Sequence, residues 1–217
     1  MVVFGSLLER TESGLYCPAG DFYVDPWAPV ARAVVTHGHA DHARRGSGAY
    51  LTASRGMDIL RIRLGADARI EGLPWGEART LGSVRVSLHP AGHILGSSQV
   101  RIEHRGQVCV ITGDYKRHSD PTVTPFEPVR CHALVTESTF GLPVFRWPDP
   151  DREIGELNRW WRQNRDDERT SLVYAYSLGK AQRVLAGLDP SIGPVLVHGA
   201  VETLLPAYAA AGVALPA

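Results

Sequence analysis

Cysteine and lysine are scarce in this chain, and net charge is absent. There are three cysteines, Cys17, Cys109 and Cys131, in no C-x-x-C pair and in odd number, which argues against a disulfide framework. Small buried thiols in a reducing cytosol fit that usage. Of the 23 basic residues only Lys116 and Lys180 are lysine, and the formal net charge is zero. Bulk electrostatics therefore announce no polyanionic partner, and any nucleic-acid affinity must come from a local patch or from bound metals. No apolar run has membrane-spanning length, and Glu9, Arg10 and Glu12 interrupt the N-terminus too early for a signal peptide. The expectation is a cytoplasmic protein without membrane contact. No internal repeat or low-complexity tract is present. The 217 residues, 44% hydrophobic and 21% charged, suffice for one ample core and part of a second.

What is present is a dense cluster of ligand-type side chains. The apolar run Ala33-Val34-Val35 leads into Thr36-His37-Gly38-His39-Ala40-Asp41-His42. Imidazole and carboxylate are the ligands that borderline cations such as Zn²⁺ take. His37 and His39 are two apart, so in extended backbone they project to one side and can grip one ion. Asp41 and His42 follow at the turn and can reach a second ion.

Other segments add candidates. Residues 1–30 read as strand, turn, strand, with Cys17–Asp21 as turn chemistry and Phe22–Val24 ending at Asp25. Asp25 is either a turn aspartate before proline or a group that hydrogen-bonds a metal ligand and orients it. Tyr50–Ala53 reads as a strand, followed by a helix capped by Ser54 and ended by Gly65. Ala68–Ile70 and Val84–Leu88 read as strands. His93, in a loop beside Gly92, is a further candidate ligand. Asp114 ends the hairpin Gln99–Glu103 and Val108–Thr112, where it could bridge two cations. His89 reads as packing or as support for a ligand, and His104, His118 and His132 as surface or satisfied core residues.

The second half reads as an α/β layer. Ala133–Thr136 is a strand ending at Glu137, and a proline-rich connector covers 142–150. Asp149 or Asp151 then caps a helix with Ile154, Leu157, Trp160 and Trp161 on one face, the tryptophans as core anchors. Strands are expected at Thr170–Tyr176 and Pro194–Val197, with a helix starting near Lys180 and an Ala-rich helix over 201–211.

Asp25, His37-x-His39-x-Asp41-His42, His93 and Asp114 together resemble the signature of the metallo-β-lactamase superfamily. The resemblance implies a four-layer αββα sandwich with a two-metal site at the strand ends. His37, His39 and His93 would hold one metal, Asp41 and His42 the other, and Asp114 would bridge them. Thr136-Glu137-Ser138-Thr139-Phe140 and Tyr176-Ser177-Leu178-Gly179-Lys180-Ala181-Gln182-Arg183 are similar to motifs of the β-CASP branch, which processes nucleic acids. Leu15–Phe22, Pro90–Ser97 and Thr139–Pro143 look like bacterial ligase-associated DNA exonucleases, relatives of the mRNA 3′-end processing nuclease. The implied fold class is α/β: the sandwich over residues 1–145 and a partial β-CASP-like domain over 146–217, incomplete at the C-terminus. The pattern continues with two histidine motifs that do not appear before Ala217. His198-Gly199 is only superficially similar to the last of them and lies too early.

The implied function is a metal-dependent phosphodiester hydrolase, an exonuclease on single-stranded DNA or DNA ends in ligase-associated repair. A DNA ligase and a helicase would act in the same pathway. Two divalent ions are implied, zinc with manganese as the alternative. Asp41, Asp114 and Glu137 are the expected catalytic residues, and Lys180 and Arg183 the expected phosphate contacts. An RNA 3′-end ribonuclease, or an inactive metal-binding fragment or partner subunit, are the rival readings.

Overall fold

A computed structural model describes residues 3, 4 and 7–216. The chain divides into two compact units, Met1–Glu137 and Ser138–Ala217. Residues 1, 2 and 217, at the ends of the division expected from sequence, lie outside the described residues.

The first unit holds two sheets. The first takes its strands in chain order: β1 (Val3–Phe4), β2 (Leu8–Thr11), β3 (Gly14–Cys17), β4 (Phe22–Val24), β5 (Arg32–Val34), β6 (Ala49–Ala53) and β7 (Ile70–Leu73). Neighbours are antiparallel up to β4 and parallel from β4 to β7. The second is a meander of β8 (Ala78–Leu81), β9 (Val84–Pro90), β10 (Ser98–His104) and β11 (Gln107–Ile111). β12 (Ala133–Val135) lies parallel to β11 at its edge.

Period-2 alternation decides what each face buries. Val34, Leu51 and Ala53 of the first sheet pack with Val86, Leu88, Val100, Ile102 and Ile111 of the second. Ala33, Val35 and Tyr50, on the opposite face, pack against Leu60 and Leu64 of helix α1 (Met57–Leu64). Burying one such side chain contributes roughly 1.5–3 kcal/mol relative to leaving it exposed. The result is a helix–sheet–sheet layering, as an αββα sandwich requires.

Several sequence expectations need correction here. Ser54 does not cap α1, because a 3-10 turn over Ser54–Gly56 intervenes and Gly56 takes the cap position. The strand expected at Ala68–Ile70 begins only at Ile70, since the turn after Gly65 ties Ala68 N–H to the Gly65 carbonyl at 3.3 Å. β8 was not expected from the sequence, because two of its four residues, Arg79 and Thr80, are polar.

The second unit contains α2 (Pro150–Asp166), α3 (Lys180–Gly187), α4 (Gly199–Glu202) and α5 (Leu205–Ala210). Asp149 caps α2, accepting from the N–H groups of Asp151 and Arg152, with Pro150 in the first turn. Asn158 of α2 bonds both the Gly187 carbonyl at 2.8 Å and the Asp189 N–H at 3.0 Å. The expected strands Thr170–Tyr176 and Pro194–Val197 form no ladder. Leu172 and Tyr174 are 68% and 88% exposed, so no strand covers them. Trp160 is exposed and no α2 residue is fully buried, so it does not act as a core anchor. The Ala-rich helix breaks into α4 and α5 because Pro206, lacking an N–H, fits only the first turn of a new helix.

Cys17 and Cys109 lie in the core between the sheets, and burial pushes both thiols up, Cys109 to about 11. Alkylation of the native protein near pH 8 should leave both unmodified, while denaturant exposes them. Peptide mapping by mass spectrometry that finds either one labelled in the native protein would contradict this core.

Candidate metal centre

The ligand-type residues converge because their strands share a direction. β4 and β5 are parallel, so Asp25 and the Thr36–His42 loop leave the first sheet at the same edge. In the second sheet β9 runs with β11 and β12, so His93, Asp114 and Glu137 also follow C-terminal strand ends. Ser98 N–H donates to the Thr36 carbonyl at 2.9 Å and links the two edges. A Cβ at Gly113 would meet Thr36 Oγ1 at 2.6 Å, so only glycine, here at φ 55°, lets Asp114 approach.

His37, His39, His93 and Asp114 each offer one ligand atom, all within 4.8 Å of one another. His39 Nδ1 lies 3.0 Å from His37 Nε2 and 3.2 Å from His93 Nε2. Asp114 Oδ2 lies 3.7 Å from His37 Nε2 and 3.5 Å from His93 Nε2. A tetrahedral zinc site with bonds of about 2.0–2.1 Å has ligand–ligand edges of roughly 3.3–3.4 Å. The four distances straddle that value, so the donor set fits a borderline divalent cation. The other carboxylate oxygen, Asp114 Oδ1, is 3.4 Å from His42 Nε2, which is 3.6 Å from Asp41 Oδ2. Asp114 thus faces both sets of residues, one oxygen to each.

Asp25 supports both sets. It sits at φ 45°, a conformation aspartate tolerates, and accepts from Thr36 N–H at 2.8 Å and Thr36 Oγ1–H at 2.6 Å. His42 Nδ1 donates to the same Oδ2 at 2.7 Å. Because the Thr36 hydroxyl proton goes to Asp25, its oxygen accepts from His37 Nδ1 at 3.0 Å. Both imidazoles therefore turn Nε2 toward the cluster. Thr36 was given no role from sequence. Its one signal was a polar residue directly before His37 at the end of an apolar strand.

Electrostatics follow this network. Burial holds His37 well below the usual imidazole range, and the neighbouring histidines add to the effect. Burial, then His39, brings His93 down to about 4. Burial also acts against a charged His42, but the Asp114 and Asp25 carboxylates outweigh it and raise the group to about 10. In turn the hydrogen bond from His42 holds Asp114 below the usual carboxylate range.

The remaining candidates lie around this cluster or in the second unit. Glu137 accepts from Tyr115 N–H at 3.3 Å, beside Asp114. A pocket of about 200 Å³ is lined by Asp25, His42, Asp114 and Glu137 with apolar Leu15 and Trp27. His89 bonds Ser87 and Glu127, and His132 accepts from Val108 N–H. In the second unit Lys180 Nζ sits 4.6 Å from the Tyr176 ring centroid, and Arg183 lies one turn further along α3. His198 caps α4, accepting from Ala200 N–H at 3.1 Å.

An Asp25→Asn change keeps an acceptor for Thr36 N–H but cannot also accept from Thr36 Oγ1 and His42. It should weaken zinc binding about 10–100-fold. Asp25→Ala should in addition destabilise the fold by roughly 1–3 kcal/mol, because it strands buried donors. Chelator-competition titration and denaturant unfolding measure the two effects separately.

The chain is 32% identical over 209 residues to a protein of Opitutus terrae named "Probable DNA ligase", a match over 94% of this chain and 20% of that protein. It is 34% identical over 130 residues to endoribonuclease ysh-1 of Neurospora crassa, covering 55% of this chain and 14% of that one. With cleavage and polyadenylation specificity factor 73 of Drosophila melanogaster it shares 30% over 135 residues, 56% of this chain and 18% of the other. The chain thus spans a fifth or less of the length of these curated relatives. No family model matches it. With this ligand motif at its strand ends and these relatives along its length, the chain resembles the β-CASP branch of the metallo-β-lactamase superfamily.

Proposed function

We propose that this chain carries the metal centre of a phosphodiester hydrolase that trims DNA ends as an exonuclease, in a pathway shared with a DNA ligase. The observation that carries the reading is the convergence of His37, His39, His93 and Asp114, whose ligand atoms lie within 4.8 Å of one another, with Asp41 and His42 on the far oxygen of Asp114. The DNA side draws support from the relative named for DNA ligation, which matches nearly the whole of this chain. Endoribonuclease ysh-1 and cleavage and polyadenylation specificity factor 73 match little more than half of it.

His37, His39 and His93 would hold one cation, Asp41 and His42 a second, and Asp114 would bridge them; zinc suits the nitrogen-rich set, and manganese is the alternative. Such cations lower the pKa of a bound water and offset charge on the attacked phosphate. The chain's own residues do the rest. Asp41 is mostly exposed, where its free oxygen can orient the attacking water. Asp25 and Thr36 hold the His37 and His42 imidazoles in their ligating tautomers. Glu137, held at the backbone of Tyr115, reaches the same pocket and can position a ligand or the substrate-side water. Lys180 and Arg183, at the start of α3, contact backbone phosphate.

Matched single-stranded DNA and RNA oligonucleotides test the reading directly. Dialysis against chelator should abolish DNA cleavage, and zinc or manganese should restore it. Asp114→Ala should remove turnover, and cleavage by that variant at the wild-type rate would refute the assignment. Cleavage confined to RNA would transfer the chain to the 3′-end-processing reading. Fewer than one bound ion per chain by mass spectrometry would favour an inactive partner.

A further inference from the structure

The segment after Asp114 is irregular backbone, yet it is laced to the loop that carries His93. Lys116 N–H donates to the Ala91 carbonyl at 3.0 Å, and Glu127 N–H to the Pro90 carbonyl at 3.1 Å. The Gln99 side chain joins the Pro90 and Glu127 carbonyls at 3.0 and 2.6 Å. Gly92, at φ 73°, lies between the two anchors, where a Cβ would come within 2.4 Å of the Lys116 carbonyl oxygen and 3.0 Å of Phe126 N. His93 and Asp114 approach to 3.5 Å across this seam.

Between the anchors the chain closes on a buried ion pair. The Asp120 side chain is 2% exposed and that of Lys116 20%, and Lys116 Nζ donates to Asp120 Oδ2. The other oxygen, Oδ1, accepts from Thr122 N–H at 2.8 Å and Thr122 Oγ1–H at 2.7 Å. A carboxylate taken this far out of water is costly unless paired and hydrogen-bonded, and an apolar pair of similar volume is often as stable. Stability is therefore a weak reason for an ion pair here, and fixed geometry a better one. Tyr115, between Asp114 and Lys116, is held as well, with its ring 5.3 Å from that of Phe126 and its N–H on Glu137.

We propose that Lys116 and Asp120 are positioning residues for the cation site: their ion pair closes the turn after Asp114 and holds the Asp114 carboxylate against His93. The proposal rests on the metal-centre reading above. It assigns to Lys116 no contact with substrate.

The test measures metal binding by the purified chain rather than turnover. Lys116→Met, Asp120→Asn, the double change Lys116→Met/Asp120→Leu and the conservative Lys116→Arg are compared with wild type. Each is held at a temperature where near-ultraviolet circular dichroism matches the wild-type fold. Zinc affinity comes from chelator competition, and ligand geometry from the visible absorption of the Co²⁺-loaded protein. Each disrupting variant should bind zinc on the order of tenfold more weakly, with an altered Co²⁺ spectrum, and Lys116→Arg should stay near wild type. The double change leaves no unpaired buried charge, so it carries the test if the single changes unfold. A folded double variant with wild-type zinc affinity and Co²⁺ spectrum would overturn the positioning role and leave the metal centre standing. A wild-type chain that binds neither Zn²⁺ nor Co²⁺ would overturn the metal reading itself.

Discussion

The Asp25 carboxylate is the constraint on which the rest of the site depends. A single side chain accepts from a backbone N–H, a hydroxyl and an imidazole. Those three bonds fix where β5 ends, which way His37 turns and which nitrogen His42 presents. They exist because β4 and β5 are parallel neighbours in fixed register, Val24 opposite Val34, so that the residues just after each strand meet. An antiparallel pair would put the two ends on opposite edges of the sheet. The chemistry at residues 36–42 is thus set by strand direction before any ligand is considered.

Much of this was legible in the sequence, and for a physical reason. Strand ends next to turn residues are local signals, and a ligand-type residue at such an end stands out from the apolar run before it. Asp25, His37, His39 and Asp114 were visible in that way, and His93 only as a loop histidine beside Gly92. Thr36 and Asp120 were not, because threonine and aspartate are ordinary turn residues and their roles depend on partners distant in the fold. Lys116 attracted notice only by its rarity. Its pairing with Asp120 is local, four residues on, but an i,i+4 pair outside a helix has no sequence signature.

The second unit shows the opposite case. Ser171–Tyr176 has the composition of a buried strand, yet its side chains face solvent and it makes no ladder. β-propensity describes how well a side chain suits a pleated, half-buried surface, and that surface must come from a neighbouring strand. Among the described residues of Ser138–Ala217 no such neighbour is present. Helices satisfy their backbone internally, and there the local signals succeeded: Asp149 before Pro150 set the start of α2. The same contrast separates α1, whose span was legible apart from its cap, from β8, whose four residues pair only through β9.

Charge explains why the cluster suits a cation rather than a proton. His37 and His93 resist protonation because they are buried among other imidazoles, while His42 is drawn to it by two carboxylates. Protonating the first set would stack positive charge where ring centroids lie 4.8 to 5.0 Å apart. A single divalent ion held by His37, His39, His93 and Asp114 would instead place its charge on one centre shared by all four side chains. The burial that disfavours imidazolium strengthens that attraction, since little water remains to screen it. The sheets supply the burial, Asp25 and Thr36 the orientation, and Asp114 the negative charge; with His37, His93 and Asp114 unprotonated near neutral pH, a divalent cation would displace no proton from them.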